Sequence, residues 1–260
     1  MLDSVLKILG AYKVYERRLQ AEVEKKEVPS HIGIILDGNR RWALDHGVPF
    51  ELGHEEGANT AEELLDWCHE LGIKSVTLYV LSTENLERPS EEVSELLGML
   101  EKRLEMLLRD ERIYRYEVRV KAIGKVELLT PSIRTLFKDI EEKTLAHNHH
   151  YLNIAVAYGG RAEITDMVRW VAQEVKAGKL TPDQITQDTI AKRLYTSYMP
   201  NPEPELIIRT SGEERMSGFL LWQGAYSELV FMDVFWPDFR KIDLMRAIRT
   251  YQNRTRRYGK

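Results

Sequence analysis

The chain has 260 residues, 43% of them apolar and 30% charged, with a formal net charge of −4. That is enough for one large α/β domain or two small ones, and it excludes a chain-wide basic field for nucleic acid. Cys68 is the only cysteine, which excludes an internal disulfide and a cysteine-rich zinc site and fits a reducing compartment.

Residues 1–26 read as an N-terminal helix, with Leu2, Val5, Leu6, Leu9 and Tyr12 at helical spacing. Two readings stay open for it: docking on the domain, which the short apolar face favours, or resting on a membrane surface. No apolar run can span a bilayer and no secretory signal is recognisable. The expectation is therefore a cytoplasmic protein, at most peripheral to a membrane. Residues 27–260 read as one domain without repeats or internal linkers.

Ile32 to Leu36 is an apolar run that predicts a buried strand. It stops at Asp37-Gly38-Asn39, after which Arg40, Arg41 and Trp42 open a helix. A strand passing through a glycine turn into a helix N-terminus presents free N–H groups to an anion. An acid at the strand tip can hold a divalent cation beside that anion. The same residues also fit an ordinary turn with surface arginines.

A loop at His46 to Pro49 and the stretch Gly53 to Gly57 lead into a predicted helix from Ala58 to Leu71, and a strand is expected from Ser75 to Leu81. The polar cluster Ser82-Thr83-Glu84-Asn85 follows, then Arg88-Pro89-Ser90, with Ser90 as the expected N-cap. Val93, Leu96, Leu97, Leu100, Leu104, Leu107 and Leu108 form one long stripe, fit for core packing or for the wall of an apolar cavity. A strand over Tyr116 to Ile123, a helix over Pro131 to His147 and a strand over Leu152 to Ala157 come next. His147 to His150 has only a superficial likeness to a metal tract. After Tyr158-Gly159-Gly160-Arg161 a helix runs towards Gly178. A strand at Leu206 to Ile208 ends in the polar run Arg209 to Gly218. A last strand is predicted over Leu229 to Phe235, a last helix over Ile242 to Tyr251, and a basic tail from Arg254 to Tyr258.

Strands alternating with helices predict an α/β fold: one domain with a central, mainly parallel sheet flanked by helices on both faces. In such sheets functional groups gather at the carboxyl ends of the strands. Those ends carry Asp37, Ser82 to Asn85, Gly159 to Arg161 and Arg209 to Ser217. One crevice lined by an acid, hydroxyls and several arginines is a polyphosphate site. No Gly-x-x-x-x-Gly-Lys-Ser/Thr and no Gly-x-Gly-x-x-Gly after the first strand appears, which argues against P-loop and dinucleotide sites. The absence of Asp-Asp-x-x-Asp argues against the all-helical trans-prenyltransferases.

Five segments in order resemble the cis-prenyltransferases, the undecaprenyl diphosphate synthase family. They are His31 to Trp42, Gly53-His54, Thr77 to Asn85 with Arg88-Pro89, Leu152 to Arg161, and Ile208 to Ser217 continuing through Phe219 to Gln223, Glu228-Leu229 and Trp236 to Phe239. Arg40-Arg41 and the ending Arg256-Arg257-Tyr258-Gly259 look more like archaeal or eukaryotic members than typical bacterial ones. The resemblance implies Mg²⁺-dependent addition of isopentenyl diphosphate to an allylic prenyl diphosphate, with a cis double bond at each step. It also implies a homodimer with an apolar tunnel in each subunit.

Carried over by position, Asp37 matches the metal-binding catalytic aspartate. Gly38, Asn39, Arg40, Arg41 and Trp42, with His54, match the allylic diphosphate loop. Ser82, Thr83, Glu84, Asn85 and Arg88 fall in the loop that closes over substrate, and Asn85 matches a residue that aids proton removal. Arg209, Arg215, Met216 and Ser217 fall in the isopentenyl diphosphate segment, and Glu228 matches a metal-associated acid, with an interface salt bridge as its alternative. Three positions depart from the pattern: Phe50 for an arginine of bacterial members, Leu86 for their tryptophan, and Gly218 for asparagine. The alternatives carried forward are a same-fold enzyme making short or irregularly joined products, a non-catalytic partner subunit, and an unrelated phosphate-binding α/β protein.

Overall fold

The computed structural model describes residues 11–254. Its elements in chain order are α1 (Ala11–Val23), β1 (His31–Ile35), α2 (Asn39–His46), α3 (Phe50–Glu70), β2 (Ser75–Tyr79), α4 (Ser90–Arg109), α5 (Glu111–Arg115) and β3 (Val118–Ile123). They continue as α6 (Pro131–Thr144), β4 (His150–Ala155), α7 (Gly160–Lys176), α8 (Gln187–Ala191), β5 (Leu206–Arg209), β6 (Glu228–Phe231) and α9 (Lys241–Asn253). The six strands form one sheet in the order β3-β4-β2-β1-β5-β6, and every pairing is parallel.

Parallel strands covered on both sides carry apolar residues on both faces. Ile32, Ile34, Val76, Leu78, Leu152, Ile154, Leu206 and Ile208 alternate onto one face and join the main core under the helices. The other face holds Ile35, Tyr79, Ala155 and Ile207, packed with Tyr158, Phe219 and Leu220. It also buries a polar chain. Tyr198 Oη donates to Asn153 Oδ1 (2.7 Å), Asn153 Nδ2 donates to Thr77 Oγ1 (2.9 Å), and Thr77 Oγ1 meets His31 Nε2 (2.8 Å). His31 Nδ1 lies 3.0 Å from the Asn201 carbonyl, so the neutral ring donates there and accepts from Thr77. Burial pushes the His31 pKa down to about 4.

Several boundaries differ from the sequence reading. α3 starts at Phe50 instead of Ala58, so Gly53 and His54 are helical. A Cβ at Gly53 would stand 2.4 Å from the Asn39 carbonyl, and one at Gly57 would stand 2.3 Å from Asn39 Oδ1. These glycines allow α2 and α3 to approach; they do not make a loop. Ser90 is the first residue of α4 and makes no side-chain cap; Pro89 occupies the cap position. β3 starts at Val118, β4 starts at His150 and stops at Ala155, and the last strand is only Glu228–Phe231. Ala157, with φ of 45°, turns the chain off the β4 ladder.

α1 docks. Leu19 and Val23 are buried in the main core, and Gln252 on α9 donates to the Val23 carbonyl. The apolar residues Leu2 to Leu9, which carried the membrane alternative, and the tail 255–260 lie outside the described residues. Among the described residues no helix is long and apolar enough to cross a membrane.

Candidate active site

β1 and β5 are neighbours, with Ile35 paired to Arg209. Chain order departs from this centre in both directions, so the carboxyl ends of β1 and β5 flank a topological switch point. Asp37 stands there. Gly38 makes the turn with φ of 112°, and a Cβ on it would lie 2.8 Å from the Phe235 ring. Thr210 ties the two strand ends together, donating to the Asp37 carbonyl (2.6 Å) and accepting from its N–H (3.1 Å).

The buried guanidinium of Arg209 organises this end of the sheet. Its Nη2 and Nε donate to Asp37 Oδ2 at 2.6 and 3.2 Å. Its Nη1 donates to the Arg215 carbonyl (2.5 Å) and to Ser217 Oγ (2.6 Å). All three of its nitrogens are thus engaged within the protein. Arg41 approaches the other oxygen of Asp37 (3.4 Å) and bonds Ser211 Oγ (2.5 Å). Glu213 pairs with both Arg41 and Arg215. The run from Ser211 to Leu220 has left-handed backbone at Ser211, Gly212, Ser217, Gly218 and Leu220. Such concentrated strain is tolerated where a loop must present groups in a fixed arrangement.

The opposite wall comes from the ends of β2 and β4 and the start of α4. Ser82 and Asn85 close on each other: Asn85 Oδ1 accepts from the Ser82 N–H (2.8 Å) and Ser82 Oγ from the Asn85 N–H (3.2 Å). Burial alone would raise the Glu84 pKa, but bonds from its own N–H, Ser82 and Thr83, with Arg161 nearby, hold it below the usual range. Glu92 gathers two cations, Arg88 at 2.8 Å and Arg40 at 3.4 Å, and the Arg40 guanidinium lies 4.7 Å from the centre of the Phe50 ring. His54 lines the same mouth. Burial and the charges of Arg88 and Arg40 lower its pKa, and its Nε2 is buried with no hydrogen-bond partner among the described residues.

Below this mouth lies a cavity of about 1520 Å³. Asp37 to Arg41, His54, Ser82 to Asn85, Arg88, Arg161, Arg209, Arg215 and Ser217 form its polar end. Val76, Leu78, Leu152 and Ile154 of the sheet and Leu96, Leu100, Leu104 and Leu107 of α4 form its apolar body. The leucine stripe is therefore both core and cavity wall. Leu104 is 2% exposed.

Three expected site residues lie elsewhere. Trp42 does not line the cavity; it stacks on His46 (4.2 Å) and donates to Asp238 Oδ1 (3.0 Å). Met216 packs against the apolar cluster of Tyr79 and Phe219. Glu228 opens β6 opposite Leu206, three residues before the Arg209 level, or roughly 10 Å back along the strands. It pairs with Arg254 at 2.9 Å and does not join Asp37 within the chain. Its motif carried only the residue type; register with β5 decided the end of the sheet. In the histidine tract, His147 and His150 bond the carbonyls of Val118 and Tyr116. Cys68 is buried, and burial pushes its thiol pKa up. Sequence reading missed Glu92, which the i, i+4 spacing from Arg88 signals, and Glu213, which has no comparable signal.

A family model of undecaprenyl diphosphate synthases matches residues 35–259. The chain belongs to that family. It is 53% identical over 250 residues, 96% of this chain and 91% of the relative, to a tritrans,polycis-undecaprenyl-diphosphate synthase (geranylgeranyl-diphosphate specific) of Methanopyrus kandleri. A protein of the same description from Methanocaldococcus jannaschii is 49% identical over 251 residues, 96% of this chain and 90% of that one. The fold matches the crystal structure of lavandulyl diphosphate synthase from Lavandula x intermedia with dimethylallyl diphosphate. The TM-score is 0.87 at 34% identity, covering 92% of this chain and all of that one. This cis-prenyltransferase joins isopentenyl diphosphate to an allylic prenyl diphosphate, and the two ends of its cavity match the two halves of such a substrate.

Proposed function

We propose that the enzyme elongates geranylgeranyl diphosphate by repeated cis additions to a long polyprenyl diphosphate. The observation that carries this reading is the continuity of one charged mouth with a long apolar cavity. A single short condensation needs no such volume beyond the mouth. The names of the similar archaeal enzymes support the primer. The lavandulyl enzyme shares the fold, so the fold alone does not separate regular from irregular joining. A non-catalytic subunit is disfavoured, because Asp37, Arg209, Arg215 and Ser217 are assembled together.

The first turn of α2 and Arg40, Arg41 and His54 receive the primer diphosphate. The helix N-terminus supplies unpaired N–H groups, and the orphaned His54 Nε2 lies at the same mouth. Arg215, 64% exposed, turns outward beside Ser217 and receives isopentenyl diphosphate. Each cycle breaks the primer C–O bond, forms one C–C bond and releases diphosphate and a proton. The arginines stabilise the negative charge that gathers on the leaving group. The Ser82 N–H holds Asn85 Oδ1 in the loop, and because an amide is too weak a base to keep a proton, a diphosphate oxygen takes it with Asn85 positioned beside it.

Among the described residues no cluster of three His, Cys, Asp or Glu side chains could hold a metal. A lone Asp37, 28% exposed at the mouth, still fits Mg²⁺, which binds through one or two carboxylates with phosphate oxygens and water. When bound there, Mg²⁺ neutralises the departing diphosphate. Homodimer formation belongs to the same reading. The test is incubation with labelled isopentenyl diphosphate and geranyl, farnesyl or geranylgeranyl diphosphate, followed by product sizing and NMR. Long cis products, made best from geranylgeranyl diphosphate, are expected. A single irregular condensation would refute the reading.

A further inference from the structure

The cavity does not end inside the core. His54, near the start of α3, lies at the mouth with Arg88 and Arg40, whereas His69, near its end, lies against Tyr116 and His150. Fifteen residues of helix separate the two histidines, a rise of roughly 22 Å. α4 descends beside it and hands over to α5 at Asp110. At this far end aromatic and charged side chains join the aliphatic lining of Ile73, Ile113 and Val118. His69 stacks on Tyr116 with ring centres 3.9 Å apart, and His150 meets His69 edge-on at 5.1 Å. Next to this collar stand Asp66, Asp110 and Arg112, which also line the cavity. Arg112 Nη1 lies 2.6 Å from Asp66 Oδ2, and its Nη2 lies 2.6 Å from Asp110 Oδ2. Its Nε donates to both oxygens of Asp110 at 3.0 Å. The side chains of Arg112 and Asp66 are 42% and 44% exposed, so the cavity reaches solvent here.

We propose that Arg112, clamped between Asp66 and Asp110, is the stop that sets how far the growing prenyl tail can extend, through charge and not bulk. The inference rests on the chain-elongating function. Along α4 each added isoprene unit exchanges water for leucine side chains, which is favourable. At Arg112 the next unit must displace a hydrated guanidinium and its two carboxylates or pass into water, and either way the gain from burying hydrocarbon among leucines ends. The hydrogen bond from Arg112 holds the Asp110 pKa below the usual range, against the opposing effect of burial, so Asp110 stays ionised at neutral pH. Because the clamp is partly exposed, salt loosens it.

The test replaces Arg112 by Met, a side chain of similar length without charge, and by Lys, which keeps the charge. The readout is product length. Arg112→Met should shift the products longer by at least one isoprene unit, and Arg112→Lys should stay near wild type. Wild-type products should lengthen with rising KCl, and Arg112→Met products should not respond. A second measurement needs no turnover: the affinity of linear alkyl diphosphates of increasing chain length. Wild-type affinity should stop rising at a shorter chain than that of Arg112→Met. An active wild type with an unchanged Arg112→Met distribution and plateau would overturn this inference alone. A wild type that neither condenses nor binds alkyl diphosphates would overturn the functional reading, and this stop with it.

Discussion

Replacing Arg209 by Met separates a residue that binds substrate from one that holds the site together. The Arg209 side chain is 6% exposed and shares Asp37 Oδ2 through two nitrogens, while its third nitrogen holds the Arg215–Ser217 loop. Removing it leaves the Asp37 carboxylate with only Arg41 at 3.4 Å and deprives two acceptors of their donor. Breaking one side of a buried pair costs about 3–5 kcal/mol. Asp37 is 28% exposed, so the lower end, about 3 kcal/mol, applies. For a chain of this size that lowers Tm by roughly 6–12 °C. The Michaelis constant for isopentenyl diphosphate should also rise, through loss of loop geometry. Arg215→Ala is the contrast. Its side chain is 64% exposed and pairs among the described residues with Glu213, so it should raise the same constant with stability changed by less than about 0.5 kcal/mol. The assay is urea and thermal unfolding of Arg209→Met, Asp37→Asn and the double variant, alongside steady-state kinetics. The double variant no longer carries an uncompensated carboxylate, so it should recover about 1–3 kcal/mol relative to additivity. Strict additivity, or an unchanged Tm in Arg209→Met, would refute this account.

Three further outcomes follow from the structure. The buried, neutral His31 has a folded pKa of about 4 against an ordinary value of 6.5. The unfolded chain then binds more protons between those values, so stability is full above about pH 6.5 and falls by roughly 3 kcal/mol as pH drops to about 4. Urea midpoints measured across that range should slope with pH in wild type and flatten in His31→Gln. Leu104→Ala should cost about 2–5 kcal/mol of stability and leave the product distribution unchanged, because the stop lies beyond it at Arg112; longer products would show that bulk along α4 also limits the tail. Arg40→Gly should weaken primer binding, and adding Phe50→Arg should restore much of it, because the Arg40 guanidinium already rests on the Phe50 ring at the mouth. A double-mutant cycle on the primer dissociation constant measures this, and additive effects would leave Arg40 as surface charge.

Local chemistry settled much of this protein before any packing was known. Alternating apolar runs and helical stripes sufficed for a parallel α/β sheet, because strand burial and helix periodicity are properties of short segments. The glycine turn after β1, the hydroxyl cluster after β2 and the arginine run after β5 were legible for the same reason, and the carboxyl-end rule brought them to one crevice. Tertiary structure decided what periodicity cannot encode. It made Gly53 and Gly57 a helix contact, since Asn39 presses on them across a distance no local pattern reports. It moved Glu228 to the other end of the sheet, because strand register and not residue type fixes that position. It turned Arg209 inward onto Asp37 and left Arg215 facing out, although both stand in one motif. It also brought Asp66 of α3 to Arg112 of α5 at the far end of the cavity, a contact 46 residues apart in sequence, beside the local pairing of Arg112 with Asp110.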